Sequence, residues 1–199
     1  MEVKINREKI IEGVRLILEG IGGDPNDENF RETPRRIAEF YEELLSPRIG
    51  DKDYKDFTGK GDLVIVKDIQ VYKLCPHHLQ PVFYRIYVAY IPSGKVVGVS
   101  KIVRLILDEA RRPTLQEHYT ENVASKLQEL VESSDVMVVV NGIHYCMRMR
   151  VLKPKCRSSY FSDQGEVQGL CITHGDYEAH GVRVVGLITV TFSTIAFNI

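Results

Sequence analysis

No stretch of this 199-residue chain is long and apolar enough to suggest a membrane span. The longest late apolar run, Val184 to Ile199, is broken by Thr and Ser and falls short of the roughly 20 residues a bilayer requires. The opening residues Met1-Glu2-Val3-Lys4 lack the apolar core of a secretory signal, so the expected location is the cytoplasm. Cysteine is scarce, with four in the chain, and in that compartment four thiols read as available metal ligands rather than as a disulfide framework. An excess of either charge is missing too. With 26 Lys and Arg against 27 Asp and Glu, the net charge of -1 gives no global attraction to nucleic acid or to an anionic membrane, so any anion site must be local. Internal repeats and low-complexity tracts are absent, and 44% hydrophobic residues suffice for one full core.

What is present changes period along the chain. From Asn6 to Glu19, apolar Ile10, Ile11, Val14, Leu16, Ile17 and Leu18 lie among charges and predict a helix stopped by Gly20, Gly22 and Gly23. Thr33-Pro34 predicts the start of a second, with Thr as cap and an apolar face of Ile37, Phe40, Tyr41, Leu44 and Leu45. Ser46 to Asp62 reads as a polar linker. Leu63 to Cys75 and Val82 to Ile91 read as strands, the second closed by a Pro92-Ser93-Gly94 turn, which leaves Cys75 to Gln80 in the loop between them. A helical pattern begins at Ser100, is punctuated at Pro113, and resumes through Leu115, Tyr119, Val123, Leu127, Leu130 and Val131. Val136 to Val140 is a third strand leading into His144-Tyr145-Cys146. The order predicts an α+β protein divided into a helical region 1–61, a catalytic domain 62–162 and an extension 163–199. Within that extension the uncharged run Val184 to Phe192 is expected to pair as a strand.

Two motifs carry chemistry. Cys75-Pro76-His77-His78 and His144-Tyr145-Cys146 offer two thiols and three imidazoles at the ends of strand patterns, and a Cys with a His three residues on can turn back onto one ion. Three protein ligands with an open fourth position indicate a catalytic zinc site; a fourth ligand such as Cys156, His174 or His180 would make it structural. The cytidine-deaminase signature is absent. Gly98-Val99-Ser100-Lys101 precedes a helix for which Ser100 is the expected cap, and with Lys101 and Arg104 it suits a phosphate, although a routine capped helix has the same look. Arg148 and Arg150 alternate with Met147 and Met149 as on a strand, which would put both cations on one face. Gln116-Glu117 opens the second helical half, where a Glu either complements the helix dipole or accepts two N–H bonds from a purine edge.

Taken in order, Glu32-Thr33-Pro34-x-Arg36-Ile37-Ala38, Cys75-x-His77-His78, Gly98-x-Ser100-Lys101-Ile102-x-Arg104, Arg112-Pro113-x-x-Gln116-Glu117 and His144-x-Cys146-x-x-x-Arg150 resemble GTP cyclohydrolase I. The resemblance implies a tunnelling fold, with an antiparallel sheet carrying helices on one face, preceded by an N-terminal helical pair and assembled as a homodecamer with active sites between subunits. It implies zinc on Cys75, His78 and Cys146, and acid/base imidazoles at His77 and His144. Ser100 and Gln116 complete the catalytic set, Ser100 near the ribose and Gln116 beside Glu117 at the guanine edge, while Lys101, Arg104 and Arg150 take the triphosphate. The implied reaction is hydrolysis of GTP at C8, releasing formate and giving 7,8-dihydroneopterin triphosphate. Four departures stand out: Pro76 where the family has Glu, Glu39 in place of a phosphate-associated Lys, Val151 where Gly follows the Arg, and an unmatched segment from Cys156 to Ile199. They leave room for a same-fold enzyme acting on another purine nucleotide or stopping at the formamide, and for a zinc-stabilised assembly protein without catalysis.

Overall fold

The computed structural model describes residues 5–46, 56–60, 63–150 and 158–164, and the chain divides into two compact units, Met1–Gly50 and Asp51–Ile199. Val151, Cys156, Cys171, His174, His180 and the run from Val184 to Phe192 lie outside the described residues.

The first unit is a helical pair. Helix α1 (Arg7–Gly20) is capped by Asn6, whose side chain accepts from the Lys9 N–H at 3.0 Å. It ends where Gly22 takes a φ of +83° and the Gly23 N–H returns to the Leu18 carbonyl at 2.8 Å. Helix α2 (Thr33–Leu45) has Pro34 in its first turn, but Thr33 lies inside the helix and the cap position, Glu32, makes no side-chain cap bond. Val14 and Leu18 of α1 and Pro34 and Ala38 of α2 are buried. Leu16 and Ile17, two of the apolar residues that marked the helix in the sequence, are each 62% exposed. Glu39 pairs with Arg7 and with Arg35, and the Arg35 hydrogen bond holds its carboxyl below the usual range. The charge expected to oppose a triphosphate is thus matched within the pair.

The second unit opens with β1 (Phe57–Lys60), inside the segment read as a linker, and its partner is β4 (Ser93–Val96), which starts within the Pro92-Ser93-Gly94 segment read as a turn. Polar character misled there, because a short ribbon needs backbone pairing more than apolar alternation. Gly59 is required by close approach: a Cβ there would meet Val96 Cγ2 at 2.9 Å. The main sheet is antiparallel, in the order β2 (Val64–Leu74), β3 (Pro81–Tyr90), β5 (Val136–His144), β6 (Ser158–Gln164). Between β4 and β5 come α3 (Val99–Ala110), against β2, and α4 (Gln116–Val131), against β5 and β6. No helix among the described residues is long and apolar enough to cross a membrane.

The core lies between helices and sheet. Alternate β3 residues Val82, Tyr84, Ile86, Val88 and Tyr90 point inward with Val136, Val138 and Val140 of β5, and meet Ile102 and Ile106 of α3 and Tyr119, Val123 and Leu127 of α4. Each such side chain contributes about 1.5–3 kcal/mol by leaving water, which makes this layer a stiff platform. Cys75 and Cys146 belong to the same cluster, so the two metal motifs sit where the core meets the surface. The third strand runs four residues beyond Val140, and Tyr145–Arg148 is a helical turn, α5, rather than strand. The expected alternation of Arg148 and Arg150 on one strand face therefore does not occur.

Candidate metal centre and active site

Antiparallel order brings the two motifs together. The end of β2, the start of β3 and the end of β5 share one edge of the sheet, since Leu74 pairs with Pro81 and Val82 pairs with both Lys73 and His144. After Leu74 the chain turns tightly: the Cys75 N–H donates to the Gln80 carbonyl and the Leu79 N–H to the Cys75 carbonyl, each at 2.9 Å. Leu79 takes a left-handed φ of +51° to close the turn. On the other side α5 folds Cys146 back toward the sheet, secured by the Met149 N–H on the Tyr145 carbonyl at 2.8 Å.

The Cys75 and Cys146 sulfurs lie 3.8 Å apart, and ligand atoms of Cys75, His78 and Cys146 all fall within 4.8 Å of one another. Two thiolates about 2.3 Å from one ion at the tetrahedral angle stand about 3.8 Å apart, so the donor set fits a single zinc-sized cation. Burial and the adjoining Cys75 thiol push the Cys146 thiol up, so a cation binding there must displace its proton. His78 is exposed and accepts a bond at Nε2 from Arg150 Nη1 at 2.9 Å. A neutral imidazole has one lone pair, so an ion that takes Nε2 must displace Arg150. His77 is exposed, with Nδ1 4.0 Å from the Cys75 sulfur.

His144 is half-buried and fixed by Gln116. The Gln116 amide nitrogen donates to the Val140 carbonyl at 2.9 Å, which leaves its oxygen to accept from His144 Nε2–H at 2.8 Å. Nδ1 of His144 is then the nitrogen left for proton exchange. Burial holds His144 below the ordinary imidazole range, with the Lys73 cation acting the same way and Glu117 acting against it. Glu117 is half-buried in the first turn of α4, beside Gln116, itself 3% exposed.

Of the residues expected to take phosphate, Lys101 and Arg104 fall on α3. Its cap position is Gly98, with no side-chain cap bond, so Ser100 is an exposed first-turn residue and not the cap. Lys101 is engaged: its ammonium lies 2.6 Å from Asp56, which also holds Lys95 at 3.3 Å. Arg104 is half-buried on the same helix.

Lys73 was missed by sequence reasoning. It is 1% exposed, donates to Thr114 Oγ1 at 2.6 Å and to the Thr114 carbonyl at 3.1 Å, and lies 4.5 Å from the centre of the Tyr119 ring. Burial lowers its pKa to about 8, opposed by Glu109 and Cys75. The signal was the phase of β2, in which Ile69, Val71 and Lys73 share the inward face.

Comparison with known proteins adds an independent line. Residues 10–168 match the family model described as GTP cyclohydrolase I. The chain is 43% identical over 164 residues to "GTP cyclohydrolase 1" of Hyperthermus butylicus, covering 82% of this chain and 85% of that protein. It is 46% identical over 152 residues to "GTP cyclohydrolase 1" of Aquifex aeolicus, covering 75% and 83%. Among solved structures, the apo archaeosine synthase QueF-Like is similar at 20% identity and a TM-score of 0.46, over 55% of this chain and 100% of that one.

Proposed function

This chain belongs to the GTP cyclohydrolase I family, and from that premise we propose that it is a zinc-dependent GTP cyclohydrolase I, hydrolysing GTP at C8 to release formate and form 7,8-dihydroneopterin triphosphate. The observation that carries the reading is the convergence of Cys75, His78 and Cys146 within 4.8 Å, beside a histidine oriented through Gln116. Cys75, His78 and Cys146 would hold the zinc, which would supply Lewis acidity and a hydroxide nucleophile near neutral pH.

The protein's own groups do the rest. His144, with Nε2–H anchored on Gln116, presents Nδ1 to carry a proton to and from N7 as the imidazole ring opens. His77, next to Cys75, is placed to move the second proton, at the oxygen that attacks C8. Glu117 accepts from N1–H and the 2-amino group of guanine, and Gln116, its amide committed to Val140 and His144, aligns the edge indirectly. Ser100 meets the ribose. Lys101, Arg104 and Arg150 take the triphosphate, which requires Lys101 to leave Asp56 and Arg150 to leave His78. Pro76 is compatible with the turn, whose two closing bonds come from the N–H groups of Cys75 and Leu79.

The assembly we infer is a homo-oligomer, a decamer with sites between subunits and no nucleic-acid or membrane partner, working in the cytoplasm. Exposed apolar groups beside the site support the oligomer, with Leu79 53% and Val99 52% accessible in the single chain. Incubating zinc-loaded protein with GTP, GDP and GMP while following formate and pterin fluorescence tests the reading. Formate and pterin from GTP alone are expected; a ring-opened formamide as final product, or turnover of another nucleotide, reassigns the activity.

A further inference from the structure

Lys73 takes no part in the chemistry above, yet a lysine 1% exposed costs several kcal/mol to bury unless its charge is held by specific partners. Both of its hydrogen bonds go to Thr114. Its ammonium reaches the side chain and the main chain of Thr114, and the face of the Tyr119 ring. Thr114 lies in the short connection between α3 and α4, where the cap position Leu115 makes no side-chain cap bond. That connection is therefore tied down from within the core, by a cation donated from β2.

Two and three residues beyond Thr114 stand Gln116 and Glu117. Gln116 bridges the Val140 carbonyl to His144, and of the Tyr84 and Tyr119 rings that line the Lys73 ammonium, that of Tyr84 also reaches His144, at 6.1 Å. A small shift at Thr114 is passed directly to the head of α4, because no loop intervenes to absorb it. We propose that Lys73 is a positioning residue for purine selectivity: by pinning Thr114 it fixes the head of α4 and so where Glu117 meets the guanine edge. This rests on reading Glu117 as the acceptor for that edge.

The test compares GTP with inosine triphosphate, which lacks the 2-amino group, in full-length zinc-loaded protein. Both kcat/KM and equilibrium binding are measured for the parent, Lys73→Met, Thr114→Ala and Thr114→Ser. The parent is expected to prefer GTP, Lys73→Met to lose about tenfold of that preference and Thr114→Ala about threefold. Thr114→Ser, which keeps the hydroxyl, should retain the preference, and zinc content should be constant throughout. A role in packing alone lowers both nucleotides by one factor and leaves their ratio unchanged, and that result overturns the proposal. Should Lys73→Met fail to fold, the Ala and Ser variants of Thr114 decide between the same two outcomes. If the parent binds GTP without releasing formate, the cyclohydrolase reading falls while the binding ratios still judge Lys73; a parent with no preference for GTP overturns the Lys73 proposal whatever its activity.

Discussion

Replacing Gln116 with leucine keeps nearly the same buried volume and removes both arms of the bridge between Val140 and His144. Leucine makes no cavity, so the loss is polar. The Val140 carbonyl loses a donor in the core, and the His144 Nε2–H loses its acceptor in a half-buried position. An unsatisfied buried group costs about 1–3 kcal/mol, and because the imidazole retains some access to water the sum should be about 2–4 kcal/mol. For a chain of this size that lowers Tm by roughly 4–16 °C. The kinetic effect has a different origin. With nothing to hold Nε2–H, the ring no longer keeps Nδ1 aimed at N7, and proton transfer that depends on alignment should slow about 10- to 100-fold. Formate release under saturating GTP gives kcat, elemental analysis gives zinc, and calorimetry gives Tm. Full zinc, a lowered Tm and a kcat reduced by at least tenfold are expected. A Gln116→Leu enzyme with kcat within twofold of the parent would show that the bridge does not orient the acid/base histidine.

Asp56→Asn should free Lys101 for the triphosphate and lower the KM for GTP about two- to fivefold at low salt, with kcat unchanged; an unchanged KM would mean that Lys101 does not reach the phosphates. Glu39→Lys should not tighten GTP binding through a local charge reversal alone, since it sets a third cation beside Arg7 and Arg35. A measurably lower Tm for the variant is expected, and a Tm equal to the parent's would show that these ion pairs are immaterial. Cys146→Ser should lose stoichiometric zinc together with turnover, and retention of one zinc per chain by that variant would remove it from the ligand set.

That Cys75, His78 and Cys146 come together was legible because two motifs of ligand-type residues sit at strand ends, and the sheet had only to bring those ends side by side; the choice of these three among two thiols and three imidazoles came from the resemblance. The antiparallel sheet and its helices were legible because each element is long enough to show its period. What escaped depends on distant partners. The ribbon strand Phe57–Lys60 has four residues with no alternation and exists through pairing with Ser93–Val96. The turn Tyr145–Arg148 looks extended because Met and Arg alternate there, yet Cys146 is drawn inward to Cys75 and the backbone coils. Ser100 resembled a cap, but the cap position is Gly98, two residues earlier. The attachment of Lys101 to Asp56, 45 residues away, has no local signature. Lys73 is the instructive case, since a strand lysine ordinarily marks the solvent face and here the strand's phase, not the residue type, told where it points.

One metal held by Cys75, His78 and Cys146 is proposed to be required for hydrolysis of GTP at C8. Titrating zinc into metal-free protein while counting formate released from C8-labelled GTP tests it most directly. The rate is expected to rise in proportion to zinc and saturate at one equivalent per chain, and Cys146→Ser is expected to show no rise. Formate release that is independent of zinc, or one full equivalent of tightly bound zinc with no formate released from GTP, would contradict it.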